Sequence, residues 1–62
     1  MMAGNYVARA EFEVESGLYV VEVEGLGTTQ AESRDSIMAE VVDFIALITD
    51  DTDPNVLLHP VS

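Results

Sequence analysis

The chain has 62 residues, two basic against twelve acidic side chains, no lysine, and a formal charge of −10 with His59 neutral. That balance argues against nucleic-acid binding, which needs several Lys or Arg to displace condensed counterions, and against anionic membrane surfaces. The absence of cysteine excludes disulfides and thiolate metal sites, and the apolar runs are too short to cross a bilayer.

No charged-then-apolar leader opens the chain, so a cytoplasmic location is expected by elimination. A high net charge also accompanies disorder, but disordered chains are poor in hydrophobic residues. Here the hydrophobic fraction is 48% and the charges alternate with Val, Leu, Ile and Phe. The pattern is that of one folded domain over residues 1–62. A chain this short buries only about 60% of its unfolded surface, and its like charges repel. Support from a partner or from self-association, as a dimer or larger, is therefore expected.

Residues 1–4 read as a flexible lead-in. From about residue 5 to 15 the chain alternates: Tyr6, Ala8, Ala10, Phe12 and Val14 on one face, Arg9, Glu11, Glu13 and Glu15 on the other. This is a half-buried strand. Ser16-Gly17 reads as a two-residue hairpin turn, followed by a strand over about 18–24. That turn sets Val14 opposite Tyr19, Phe12 opposite Val21 and Ala10 opposite Val23. The other face would then pair Glu11 with Glu22 and Arg9 with Glu24. Leu18, Val20 and Val7 are apolar misfits on that wet face and hint at a contact surface.

Gly25-Leu26-Gly27 breaks the strand, and about 28–32 suits a third. Ser33 is a candidate N-cap, with Asp35 in the first turn. Ile37, Val41, Phe44, Ile45 and Ile48 recur at helical spacing over about 34–49, with Met38 and Val42 widening the stripe. Pro54 disfavours helix at Asp53. A short fourth strand is expected over about 55–58, with Pro60 at an edge or beyond it. The predicted fold is α+β: a two-layer β-β-β-α-β domain, a three-stranded antiparallel meander plus one helix on one face and a short fourth strand.

The string Gly17-Leu18-Tyr19-Val20-Val21-Glu22-Val23-Glu24-Gly25-Leu26-Gly27, then Thr29-Gln30-Ala31-Glu32-Ser33 and a capped helix, resembles the HicB-type antitoxin domain. The typical line there is G-x-Y-V-V-x-V-P-x-L-x-G, then T-Q-G-D-T. Glu24 stands where proline is common, and Ala31-Glu32-Ser33 replaces Gly-Asp-Thr. The resemblance runs from about Tyr6 to Val61. It implies a partial ribonuclease H-like fold of sheet order 3-2-1-4, with the last strand parallel beside the first. It also implies a partner: a HicA toxin, a small basic ribonuclease that cleaves messenger RNA. Many such antitoxins carry a C-terminal DNA-binding domain; this chain looks like the toxin-binding half alone.

Carboxylate-rich strands invite a two-metal nuclease reading, which needs acids converging on ions about 3.5–4 Å apart. The face bearing Glu11, Glu13, Glu22 and Glu24 is open to water, and no lysine could hold a polyanion. Asp50, Asp51 and Asp53 lack EF-hand spacing. His59 has no nucleophile in a suggestive arrangement, and Gly25-Leu26-Gly27 leads into a strand rather than a phosphate-binding helix. The expectation is therefore no enzyme, no cofactor and no metal.

The expected function is a protein-binding module of the antitoxin kind. Its contact residues would be Glu11, Glu13, Glu22 and Glu24, with Leu18 and Val20 as apolar anchors and Asp50, Asp51 and Asp53 as a second acidic patch. The alternatives are an acidic inhibitor or nucleic-acid mimic, of phage or cellular origin, that occupies a host nucleic-acid-binding protein, and an orphan self-associating domain.

Overall fold

In the computed structural model, which describes residues 4–59, the expected alternation produces a strand β1 (Asn5–Glu13) paired with β2 (Leu18–Val23). The turn between them is looser than Ser16-Gly17 alone would make. Val14 to Gly17 all lie outside the strands, the Gly17 amide donates to the Glu13 carbonyl at 2.9 Å, and Gly17 has φ 72°. The register consequently differs from the two-residue-turn expectation: Phe12 faces Tyr19, Ala10 faces Val21 and Ala8 faces Val23. The slip is by an even step, so every side chain keeps its predicted face. Val14 is the exception, lying in the loop and 82% exposed.

A turn at Glu24 to Leu26 leads into β3 (Gly27–Ala31), antiparallel to β2. Ser33 then caps as expected. Its Oγ accepts from the Ser36 amide while Ser36 Oγ accepts from the Ser33 amide, a reciprocal capping box around a single 3-10 turn, Arg34–Ser36. The helix α1 (Ile37–Thr49) continues directly, and β4 (Asn55–His59) closes the domain. The sheet order is β3-β2-β1-β4, with β4 parallel to β1. This is the two-layer α+β arrangement read from the pattern. Among the described residues no helix is long and apolar enough to cross a membrane. The lead-in at residues 1–3 and the placement of Pro60 lie outside the described residues.

The core lies between α1 and the sheet: Ala8, Ala10, Val21, Val23, Ala31, Ile37, Val41 and Ile45 are buried. The helix packs mainly on β3 and β2, so only the Ile37-Val41-Ile45 line of the stripe becomes core. Ile48 and Met38 remain 49% and 42% exposed, because they sit on the flanks of that contact. Phe44 packs at the core margin over Gly27, where a Cβ would come to 3.5 Å of the ring. At the far end of the hairpin, Phe12 and Tyr19 form a tilted aromatic pair with centroids 5.1 Å apart. Phe12, expected in the core face, is still 42% exposed there.

Asp50 ends the helix in the left-handed region at φ 64°, its amide donating to the Ala46 carbonyl at 2.9 Å. Glycine suits this backbone better, and a carboxylate at the negative end of the helix dipole is unfavourable. Asp50→Gly is therefore expected to stabilise the domain by about 1 kcal/mol, raising the melting temperature by roughly 4–8 °C. A thermal melt with an unchanged or lower midpoint would contradict this.

Candidate functional site

Because α1 covers one side of the sheet, the other side is left open, and alternation decides what it displays. Across the strands, the register builds rows on this face. His59, Arg9, Glu22 and Thr28 form one row, Glu11, Val20 and Gln30 a second, and Glu13 lies beside Leu18. Leu57 sits beside Val7 at the β4 side. The four-residue turn thus removes the like-charge pair that a tighter turn would impose. Glu11 stands opposite Val20 instead of Glu22, and Glu22 stands opposite Arg9. Like charges directly opposite one another destabilise a sheet, so this register relieves strain on the acidic face.

Arg9 still reaches Glu24, as a diagonal ion pair of 3.3 Å between half-exposed side chains. Such a pair contributes little to stability in water. Its effect is local: it places a cation in the middle of an otherwise acidic face. Arg9, Glu11, Glu13, Val20, Glu22 and Thr28 line a shallow concavity of about 450 Å³. Leu18 and Val20 are half-buried among them. The strand-face residues singled out from the sequence, Glu11, Glu13, Glu22, Glu24, Leu18 and Val20, therefore share one surface. Val7 was visible as a misfit in the alternation. Leu57, 62% exposed, was not, because the resemblance places the last strand beside the first without fixing the register that puts Leu57 beside Val7 on the open face.

The aspartates do not join this surface. They lie at the start of β1 and the end of α1, and the run from Tyr6 to Glu13, at about 3.3 Å per residue, puts the Glu13 end of the face roughly 23 Å away, while Glu24 lies nearer, its amide bonded to the Val7 carbonyl. Asp51 is committed to the fold itself. Its Oδ2 accepts from the Gly4 amide at 2.7 Å and from the Tyr6 hydroxyl at 3.4 Å, and its Oδ1 accepts from the Asp53 amide at 3.1 Å. Its own amide donates to Thr49 Oγ1 at 3.2 Å, and the Thr49 hydroxyl donates to the Ile45 carbonyl at 2.8 Å. The carboxylate thus fastens the beginning of β1 to the helix end, and Gly4, read from the sequence as flexible lead-in, is anchored by it. A Cβ at Gly4 would come to 2.7 Å from the Tyr6 hydroxyl, so a side chain there would push the end of the Tyr6 ring aside.

The Gly4 amide is the main reason the Asp51 carboxyl titrates below its ordinary value of 3.8; partial desolvation opposes it, and the Asp53 amide and Tyr6 hydroxyl add to the lowering. A carboxyl lowered on folding stabilises the native state above its ordinary pKa, and that contribution is lost as pH falls through the folded value. The stability difference between the wild type and Asp51→Asn is thus expected to be largest above pH 3.8 and to shrink below it. Urea denaturation at a series of pH values checks this; a difference independent of pH would contradict it.

Chemically, the open face offers solvated carboxylates beside apolar side chains. Among the described residues no group of three or more His, Asp or Glu side chains is placed to hold a metal ion. No family model matches the sequence, and no curated protein or solved structure matches the chain.

Proposed function

We propose that the chain is a non-enzymatic binding module of the HicB antitoxin kind, whose open sheet face covers a small basic HicA-like ribonuclease in the cytoplasm. The observation that carries this reading is the composition of that face: Glu11, Glu13 and Glu22 flank the half-buried Leu18 and Val20, with Glu24 beyond them at the Arg9 end, on a surface that no helix of the described residues covers. Opposite fields accelerate encounter with a basic protein and discourage acidic ones. Buried apolar anchors then supply most of the affinity, since exposed charge pairs contribute little. The sheet order 3-2-1-4 with a parallel last strand is the order that the HicB resemblance implies.

Co-expression with a HicA-like toxin tests the reading: the chain should restore growth and copurify with the toxin. Combining Glu11→Lys, Glu13→Lys and Glu22→Lys should slow association about tenfold or more at low salt. Val20→Lys should instead speed dissociation. All four positions lie off the core, so circular dichroism should show the fold retained. Association at an unchanged rate by the charge-reversed variant would sink the proposed face. Capture of a host nucleic-acid-binding protein in place of the toxin would favour the mimic reading.

A further inference from the structure

β4 is an edge strand, and the chain carries its acids elsewhere. Asn55–His59 contains no Asp or Glu, and its nearest neighbours on β1 are Asn5, Tyr6, Val7, Ala8 and Arg9. The helix packs mainly on β3 and β2, toward the other side of the sheet, and along β4 Asn55, Leu57 and His59 remain exposed. Soluble proteins usually guard such an edge with charges, a bulge or a covering loop. Here the edge strand is uncharged and apolar over Val56-Leu57-Leu58, with Leu57 62% exposed and its two neighbours half-buried.

We infer that β4 pairs with β4 of a second copy of this chain, antiparallel about a two-fold axis through Leu57, giving a continuous sheet across two protomers. The hydrogen-bond geometry selects that register. The Asn55 amide donates to the Gly4 carbonyl at 3.0 Å, so Asn55, Leu57 and His59 direct their backbone groups at β1. Val56 and Leu58 consequently direct their N–H and C=O groups at the open edge. Setting Val56 opposite the second copy's Leu58 satisfies both residues on both strands. Centring the axis on Val56 or on Leu58 would place only one such residue of each strand in a reciprocal pair.

The Leu57 register also brings two Leu57 side chains together on the open face, in the closer, non-hydrogen-bonded type of pair, with Val7 flanking them on either side. On the helix side it adds Val56–Leu58 contacts to the half-buried margin of the core.

Charge favours a second copy over a basic partner at this edge. A basic protein gains nothing from an uncharged strand, whereas two chains of charge −10 approach at least cost where their carboxylates are absent. The antiparallel sense matters for the same reason. Asp51 and Asp53 precede one end of β4, and the pairing sets that end against the His59 end of the second copy. Glu11, Glu13 and Glu22 stay away from the seam, so the dimer leaves the proposed toxin-binding face free and does not depend on that proposal.

Sedimentation of the isolated full chain across roughly 1 µM to 1 mM should show mass doubling with concentration, since a five-residue seam is small for a stable complex. Leu57→Lys should weaken dimerisation about tenfold by setting two ammonium groups opposite each other. It also makes the net charge less negative, so association governed by overall repulsion would strengthen instead. The chain has no cysteine, so Leu57→Cys should oxidise rapidly to a cross-linked dimer, the Cα separation of such a pair, about 4.5 Å, suiting a disulfide. Leu47→Cys, 84% exposed on the helix, should not. In hydrogen exchange, the Val56 and Leu58 amides should gain protection with concentration while Leu57 and His59 are protected throughout. A chain that stays monomeric to 1 mM would overturn the proposal, as would a dimer unaffected by Leu57→Lys or cross-linking equally fast at both cysteines.

Discussion

Ile45→Ala is expected to leave the domain barely folded at room temperature. Ile45 is fully buried at the middle of α1, in one cluster with Val41, Val21 and Val23. Truncating a buried isoleucine to alanine loses its transfer free energy and leaves a cavity, together about 2–5 kcal/mol. A single core in a domain of this size rarely supplies more than about 3–5 kcal/mol in total. The loss therefore equals most of the stability, and the melting midpoint should fall by roughly 10–20 °C or the transition should broaden into the baseline. Leu47→Ala on the same helix, where the side chain is 84% exposed, should change stability by less than about 0.5 kcal/mol. Thermal and urea denaturation of the two variants side by side check the contrast. Equal effects would mean that the helix does not pack on the face described.

Ala8→Leu should be nearly as damaging, for the opposite reason. Ala8 is completely buried on the central strand β1, flanked by Val23 on β2 and Leu58 on β4. A leucine needs space that close-packed neighbours do not leave, and overpacking of this kind costs about 1–3 kcal/mol. The damage should appear first on the β4 side, because that strand is short and at the edge. Faster hydrogen exchange at the Leu57 and His59 amides than at the β2 amides would report it. A variant with wild-type stability and exchange would show that the small residue at position 8 is not required by packing.

The two predictions differ in what a reader of the sequence could foresee. Ile45 belongs to a stripe of helical period, and its burial follows from that period together with an alternating sheet opposite. Ala8 was legible as a residue of the inner face, but not as a tightly enclosed one, since alternation assigns a face and says nothing of local volume. Ile48 makes the same point in reverse. It carries the period of the stripe yet stays half-exposed, because the helix lies over β2 and β3 and its flank overhangs.

The acidic site divides along the same line. That Glu11, Glu13, Glu22 and Glu24 share one face is a consequence of the two-residue period, and it survived an error in the turn because an even slip in register preserves faces. Their immediate neighbours depended on the turn: a four-residue loop puts Val20 beside Glu11, where a two-residue loop would have put Glu22. Three nearby aspartates in a turn look alike as letters, so the sequence groups Asp51 with an acidic patch. Its role as the acceptor for Gly4 and Tyr6 arises from chain segments 47 and 45 residues apart, which no local pattern brings together.

The sequence by itself thus determined the element types, their order, the face each strand residue takes and the excess of negative charge, all of which depend on short-range periodicity and composition. The tertiary structure decided the hairpin register, the employment of Asp51, the exposure of Leu57 and the uncharged edge at β4. Each of these depends on contacts between distant segments, and the parallel placement of β4 beside β1, which the sequence suggests only through its HicB resemblance, is fixed by packing of the whole sheet against one helix.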